Sequence, residues 1–328
     1  MLLFQKQKRS LFFLLITALL IATSTNVNAQ EGTKKRLVKT VKEMSVTTDD
    51  GWQIAMTYYQ SNVGKEAPVV ILLHGKNGNR LIWNVSFAKE LHRQGYAVVT
   101  VDLRKHGEST PRNGRKSSTR KNGNSSNNFG KIKKSDYKKM VLFDLEAVKK
   151  FLRQEHEEQR LNLKKIGIVG ADMSTVIALN FAARDWLKKP YDDAPTLATR
   201  TPRGQDVRAI VLLSPLRSIP GLSSRKSVSL LRKPFFEIAF LTCVGEKDTE
   251  SYKDALKIQK QLNYSSKNKG RIYQKIYSGR KFRGTDLLGD KLAIDKKFKP
   301  QTLMLAFFNK HLKNLGPPWS SRKNKINN

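Results

Sequence analysis

The sequence predicts an α/β fold, a mostly parallel central sheet of about eight strands with helices on both faces. Three observations lead there. Strand-like and helix-like segments alternate from residue 40 onward, and strands joined by crossover helices build such sheets. Segments such as 68–73 (Pro-Val-Val-Ile-Leu-Leu) are continuous apolar runs, as expected of strands buried on both faces. Residues 165–181 carry a short apolar strand through a tight turn into an apolar helix.

The first 29 residues read as a secretory signal peptide. Lys6, Lys8 and Arg9 form a basic start, 11–22 an apolar run, and 23–29 a small, polar stretch ending at Ala29. The apolar run is shorter than the ~20 residues of a spanning helix. No later stretch reads as a membrane span, so the mature chain is expected to have no transmembrane domain. Export to the periplasm, the cell envelope or the extracellular space follows as an expectation. Cleavage after Ala29 leaves residues 30–315 as one domain, followed by a basic C-terminal tail over 316–328.

Within that domain, 43–48 and 52–59 flank Asp49-Asp50-Gly51 and read as a hairpin. Strand 68–73 ends in His74-Gly75-Lys76-Asn77-Gly78-Asn79. A helix over 80–94 places Trp83, Phe87, Ala88 and Leu91 at helical spacing. Gly95 stops it. Strand 97–101 leads to Asp102-Leu-Arg-Lys-His-Gly-Glu-Ser109. Residues 110–134 are rich in Ser, Asn, Gly, Lys and Arg and poor in large apolar residues, the composition of a flexible basic insertion. A helix begins near Ser135, a candidate N-cap. It is followed by strand 166–169 and the turn-and-helix segment. Strand 207–213, a small cap over 216–233, strand 236–244, an amphipathic helix over 251–262, strand 271–277 and a closing helix over 302–312 complete the order. The tail from Pro317 reads as frayed.

The formal net charge is +35, a field that draws in polyanions. An anionic polymer is therefore a candidate partner through the basic surface. The lone Cys243 cannot form an internal disulfide and sits in an apolar run, so it reads as a buried core residue. No Cys/His cluster suggests a metal. No Gly-x-Gly-x-x-Gly after a strand and no phosphate loop suggests an organic cofactor.

Five local patterns together resemble the α/β-hydrolase superfamily, near its serine esterases and dienelactone-hydrolase-like members, over roughly residues 40–315. His74-Gly75 resembles the oxyanion loop. Residues 102–109 resemble an Asp-x-Arg-Gly-His-Gly-x-Ser turn, with Lys105 in place of a glycine. Residues 170–174 (Gly-Ala-Asp-Met-Ser) resemble the Gly-x-Ser-x-Gly nucleophile elbow. Gly245-Glu-Lys-Asp248 resembles the turn that bears the acid, and Arg283-Gly284 stands where the superfamily presents His-Gly.

The resemblance implies a nucleophile position at Asp172, an acid at Asp248 and a base position at Arg283. It also implies a pocket with oxyanion donors around His74, Gly75, Lys76 and Met173. An aspartate nucleophile has precedent in the haloalkane dehalogenases and epoxide hydrolases of the superfamily. Arginine, however, stays protonated at working pH and cannot serve as a base.

The residues themselves leave several readings open. Asp172 suits a helix N-cap, an ion pair or a nucleophile. Arg283 is expected to pair with Asp248, Asp172 or both, or else to lie exposed on its loop. Ser174 points away from the donors. His74 and His106 are loop residues or recruited bases. Three functions remain in view. One is a non-catalytic pseudoenzyme that binds a small molecule in the retained pocket or an anionic polymer. Another is an active hydrolase using Asp172 on ester, epoxide or alkyl halide bonds. The third is a polyanion-binding surface protein.

Overall fold

The computed structural model describes residues 40–111, 131–289 and 296–326. The expected leader, 1–29, and residues 112–130 of the basic insertion lie outside them. Eight strands run through the central sheet: β1 (Val41–Thr47), β2 (Trp52–Tyr59), β3 (Val69–Leu73), β4 (Ala97–Val101), β5 (Ile166–Ala171), β6 (Val207–Leu213), β7 (Ala239–Gly245) and β8 (Ile272–Tyr277). Their spatial order is β1-β2-β4-β3-β5-β6-β7-β8. β1 and β4 run antiparallel to β2, and every neighbour from β4 to β8 is parallel. A two-residue strand, Thr110–Pro111, pairs with Trp52 and Gln53. The first residues of the stretch read as an insertion are therefore part of the sheet.

Each buried strand serves two layers because successive side chains leave opposite faces. Val69, Ile71 and Leu73 of β3 join one core with Ile168, Val176, Phe181 and Phe240. Val70 and Leu72 join the other with Trp83, Phe87, Val211 and Phe308. Helices α4 (Leu145–Glu157) and α5 (Met173–Trp186) contribute to the first core, and α8 (Pro300–Phe308) to the second; between them in the chain come α6 (Arg225–Leu231) and α7 (Tyr252–Leu262). Cys243 is fully buried, as its apolar neighbours implied.

Local departures from the sequence reading have identifiable causes. The helix expected over 80–94 is two, α1 (Leu81–Ser86) and α2 (Ala88–Arg93), broken at Phe87 with φ −135°. Phe87 is fully buried, so core packing overrides helical continuity there. The helix expected from Ser135 starts earlier, as α3 (Lys134–Lys139), with Asp136 accepting the N–H of Lys133 at 2.7 Å. Between α3 and α4, residues Met140–Asp144 form one π-helical turn. Phe236 belongs to a short 3-10 turn before β7.

The C-terminal stretch is docked through residue 326 and is not frayed. Trp319 Nε1 donates to the carbonyl of His156 at 2.9 Å, and the two rings lie 5.0 Å apart. Arg322, 4% exposed, reaches Asp206. Asp206 also binds Lys149 at 2.7 Å, and Lys149 binds Asp185. Two buried acids and two buried bases thus neutralise one another beneath α4 and α5. Removing one member strands a buried charge. Arg322→Ala is expected to lower unfolding stability by about 3 kcal/mol, measured by denaturant titration. A change within about 0.5 kcal/mol would place Arg322 among ordinary surface positions.

Candidate functional site

The parallel strands end in register, so their loops meet on one edge. Leu73 lies opposite Gly170, Ala171 opposite Leu213, Leu213 opposite Cys243, and Gly245 opposite Tyr277. His74, Asp102, Asp172, Ser214, Asp248 and the Tyr277–Gly284 segment all follow these ends. Ligand sites of open α/β sheets gather on this edge.

Asp172 joins β5 to α5 with φ +52° and ψ −116°. A side chain rarely adopts this backbone, and such positions cost roughly 1–3 kcal/mol. Neighbouring bonds hold it. Ser174 Oγ accepts the Ala171 N–H at 2.8 Å and donates within the same turn, and Thr175 Oγ1 donates to the Asp172 carbonyl at 2.6 Å. Gly170 is required by proximity, since a Cβ there would lie 2.8–2.9 Å from the backbone of Ser174 and Thr175. Ser174 is therefore a brace of the turn.

The Asp172 carboxylate does not cap the helix, contrary to one sequence expectation. It is turned outward by the backbone. Oδ1 accepts from Arg283 Nη2 at 2.5 Å, and Oδ2 lies 3.4 Å from the backbone N–H of Lys76. The Gly75 Cα hydrogen faces the same side chain, where an added Cβ would sit 3.5 Å from Asp172 Cβ. Met173 N–H begins α5 and has no intrahelical acceptor, while its side chain packs in the core. Asp172 is 8% exposed, and Arg283 is partly buried.

Arg283 takes Asp172 and not Asp248. Its second arm binds Glu250. Burial works against the guanidinium charge, and the hydrogen bonds it donates to Glu250 and Asp172 more than offset this, raising its pKa further. Asp248 instead organises the start of α7. It accepts the N–H groups of Glu250 and Ser251, each at 3.2 Å, and the Ser251 hydroxyl. The adjacent loop is pinned where Gly284 N–H donates to Ser214 Oγ at 2.9 Å. Two neighbours escaped the sequence reading. Glu250 stands two residues beyond Asp248, a spacing that in hindsight offers a second carboxylate to the same loop. Tyr137, from α3, is 7% exposed; burial and then the Asp172 charge hold its phenol above its usual pKa. No local pattern pointed to it.

All five histidines lie among the described residues, and each is engaged away from Asp172. His74 Nδ1 donates to Gly75 O at 2.8 Å, and its Nε2 accepts the Leu103 N–H at 3.2 Å. His106 Nδ1 contacts Arg104 O at 3.0 Å, and its ring lies 4.5 Å from that of His74. His92 contacts Gln60 O, His156 contacts Leu161 O and Ser320 O, and His311 contacts the Tyr273 hydroxyl. Burial, then the neighbouring His106, pushes His74 down to about 3.

The turn over 102–109 is architectural. Asp102 accepts Arg80 N at 2.6 Å and Nη1 at 2.5 Å, and the N–H of Glu108 at 2.8 Å. Gly107 has φ +52°, and a Cβ there would fall 2.0 Å from Asp102 Oδ2. Arg104 is fully buried between Asp144 and Asp50, at 2.6–2.9 Å. Lys105, at the position of the superfamily's glycine, carries φ +63° and pairs with Asp136 at 2.8 Å.

The geometry sets two expectations. Asp172→Gly should be more stable than Asp172→Ala by about 1–2 kcal/mol, because both lose the carboxylate and only glycine relieves the turn; equal denaturation midpoints would mean an unstrained turn. His74 should show no NMR titration above pH 5. Its folded pKa lies below the unfolded ~6.5. Its contribution to stability is therefore complete above pH 6.5 and lost as pH falls toward about 3. A His74 midpoint near 6.5 would contradict the buried neutral ring.

Comparison with known proteins agrees with this fold. An α/β-hydrolase fold family model matches residues 68–230. No curated protein matches the chain by sequence. Among solved structures, a thermostable carboxyl esterase from Bacillus coagulans in complex with glycerol is 11% identical, with TM-score 0.55, covering 84% of this chain and all of its own. An α/β hydrolase from Penicillium is 13% identical, with TM-score 0.54, covering 83% and 99%. A cold-adapted esterase from an Arctic intertidal metagenomic library is 16% identical, with TM-score 0.51, covering 85% and 98%. With the strand order, the strained strand-to-helix turn and the family match in agreement, this chain belongs to the α/β-hydrolase superfamily.

Proposed function

We propose that this chain is a non-catalytic member of the superfamily, a pseudoenzyme that acts by binding. The observation that carries the reading is the Arg283–Asp172 pair at 2.5 Å. A carboxylate nucleophile yields an ester intermediate, which needs a base-activated water to release it. Arg283 occupies the position implied for that base and holds its proton at any working pH. The five imidazoles are committed to other partners. The backbone N–H of Lys76, which would serve an oxyanion, already faces a full negative charge on Asp172 Oδ2.

The leader-like composition of residues 1–29 supports export as the setting. The strained turn is the feature that favours the second reading, an active hydrolase with Asp172 as nucleophile, because the elbow geometry is kept.

A panel of p-nitrophenyl esters separates the two. The wild type is expected to turn over no faster than Asp172→Asn. The double variant Asp172→Ser, Arg283→His is expected to gain about 10²-fold or more, the contribution of a working general base. Wild-type turnover that disappears in Asp172→Asn would establish the hydrolase instead.

A further inference from the structure

Two open depressions lie on the flank of α3, α4 and α5, and neither is lined by Asp172, Met173, His74, Gly75 or Lys76. One is an open groove of about 530 Å³ with an apolar floor that includes Val141, Leu142, Ala183 and Leu187. The other is a cleft of about 350 Å³ whose lining sets Lys150, Arg153, Arg184, Lys188 and Arg203 against the two acids Asp49 and Glu146. Leu142, Arg184 and Lys188 line both, so the two form one trough, apolar at one end and cationic at the other. Each part has the size of a small-molecule site.

Three features mark this trough as more than a surface depression. Leu142 and Leu187 are 40% and 65% exposed on its apolar end, where an acyl chain could cover them. The π-helical turn Met140–Asp144 projects Val141, Leu142 and Phe143 along the trough, and such turns inside helices recur at functional sites. The cationic end is under-neutralised. Glu146 takes Lys188 at 2.6 Å and Arg184 at 3.4 Å. Among the described residues no carboxylate pairs with Lys150, Arg153 or Arg203. Arg153 spends its guanidinium on two neutral acceptors, Tyr191 Oη and Arg203 O, each at 3.0 Å, and its Nε is buried without a partner. Burial, and then repulsion from Lys149, hold the Lys188 ammonium below its usual pKa.

We propose that the trough binds a long-chain fatty acid, its acyl chain along Leu142 and Leu187 and its carboxylate among Arg153, Lys188 and Arg203. Charge complementarity selects the carboxylate over a neutral head, and the adjoining apolar groove selects an acyl chain over a free anion. Arginine suits the carboxylate because its planar fork matches two oxygens at once. The site is separate from the Asp172 turn and does not depend on whether that turn is catalytic.

The test is displacement of 11-(dansylamino)undecanoate from the full chain, followed by fluorescence. Oleate is expected to displace the probe, with oleyl alcohol and inorganic phosphate at least tenfold weaker. Arg153→Gln should weaken oleate about tenfold, the loss of one charge-assisted hydrogen bond, and should bring oleate close to oleyl alcohol. Leu187→Asp, at an exposed position, should weaken the probe and oleate together. Lys260→Gln, on α7, serves as a control and should change nothing. Melting temperatures within a degree or two of the wild type confirm that the variants are folded. Three results would overturn the proposal: unchanged oleate affinity in Arg153→Gln and Leu187→Asp, binding lost only in Arg283→Ala, which would place the lipid at the elbow, or displacement by heparin but not by oleate, which would make the trough a polymer site.

Discussion

The left-handed turn at Asp172 is the constraint on which the functional edge is built. A side chain at φ +52° and ψ −116° cannot fold back over its own helix. The carboxylate is therefore aimed at the ends of β3 and β8 instead of at the amide groups of α5. Everything that meets it follows from that direction: Lys76 N–H from the loop after β3, Arg283 from the loop after β8, and Tyr137 from the flank. Ser174, Thr175 and the absence of a side chain at Gly170 hold the turn closed. The strain is local and the compensation is local.

Charge is used differently inside and outside this molecule. Among the described residues nine acidic side chains are buried against five Lys or Arg, so the exterior is more basic than the net charge suggests. Inside, Asp102, Asp144, Asp185 and Asp206 are each satisfied by an arginine or lysine with little access to water. Such pairs gain little over an apolar core but make the loss of either partner expensive. They fix the turn after β4, tie the π-helical turn before α4 to the hairpin between β1 and β2 through Arg104, and anchor the C-terminal stretch through Arg322. Over the whole chain Lys and Arg outnumber Asp and Glu, and the cleft beside α4 gathers several of the cations.

Much of the fold was legible because it rests on short-range regularities. The Val-Val-Ile-Leu-Leu run of β3 cannot be satisfied on a surface. Asp49-Asp50-Gly51 closes a hairpin with Gly51 at φ +83°, as its sequence requires. Trp83, Phe87 and Leu91 marked a buried helical stripe, though not the break at Phe87, which only packing imposes. The position of Arg283 near the elbow was also legible, through resemblance, while its choice of Glu250 over Asp248 was not. Both acids lie within one turn, and Asp248 is claimed by the amides that open α7. Tyr137, Trp319 and Arg322 left no local trace. Each finds its partners far along the chain, and an isolated aromatic or arginine in a polar stretch carries no period to read.

The sequence by itself determined the layered α/β architecture, the strand-to-helix turn at residues 170–174 and the basic character of the chain, because apolar periodicity, glycine spacing and charge are properties of neighbours. Only the tertiary structure decided which carboxylate meets Arg283, that all five imidazoles are spent elsewhere, and that an apolar groove runs into a cationic cleft. Those outcomes depend on which strand ends and helix faces come within hydrogen-bonding distance, and that distance is set by the packing of the whole sheet.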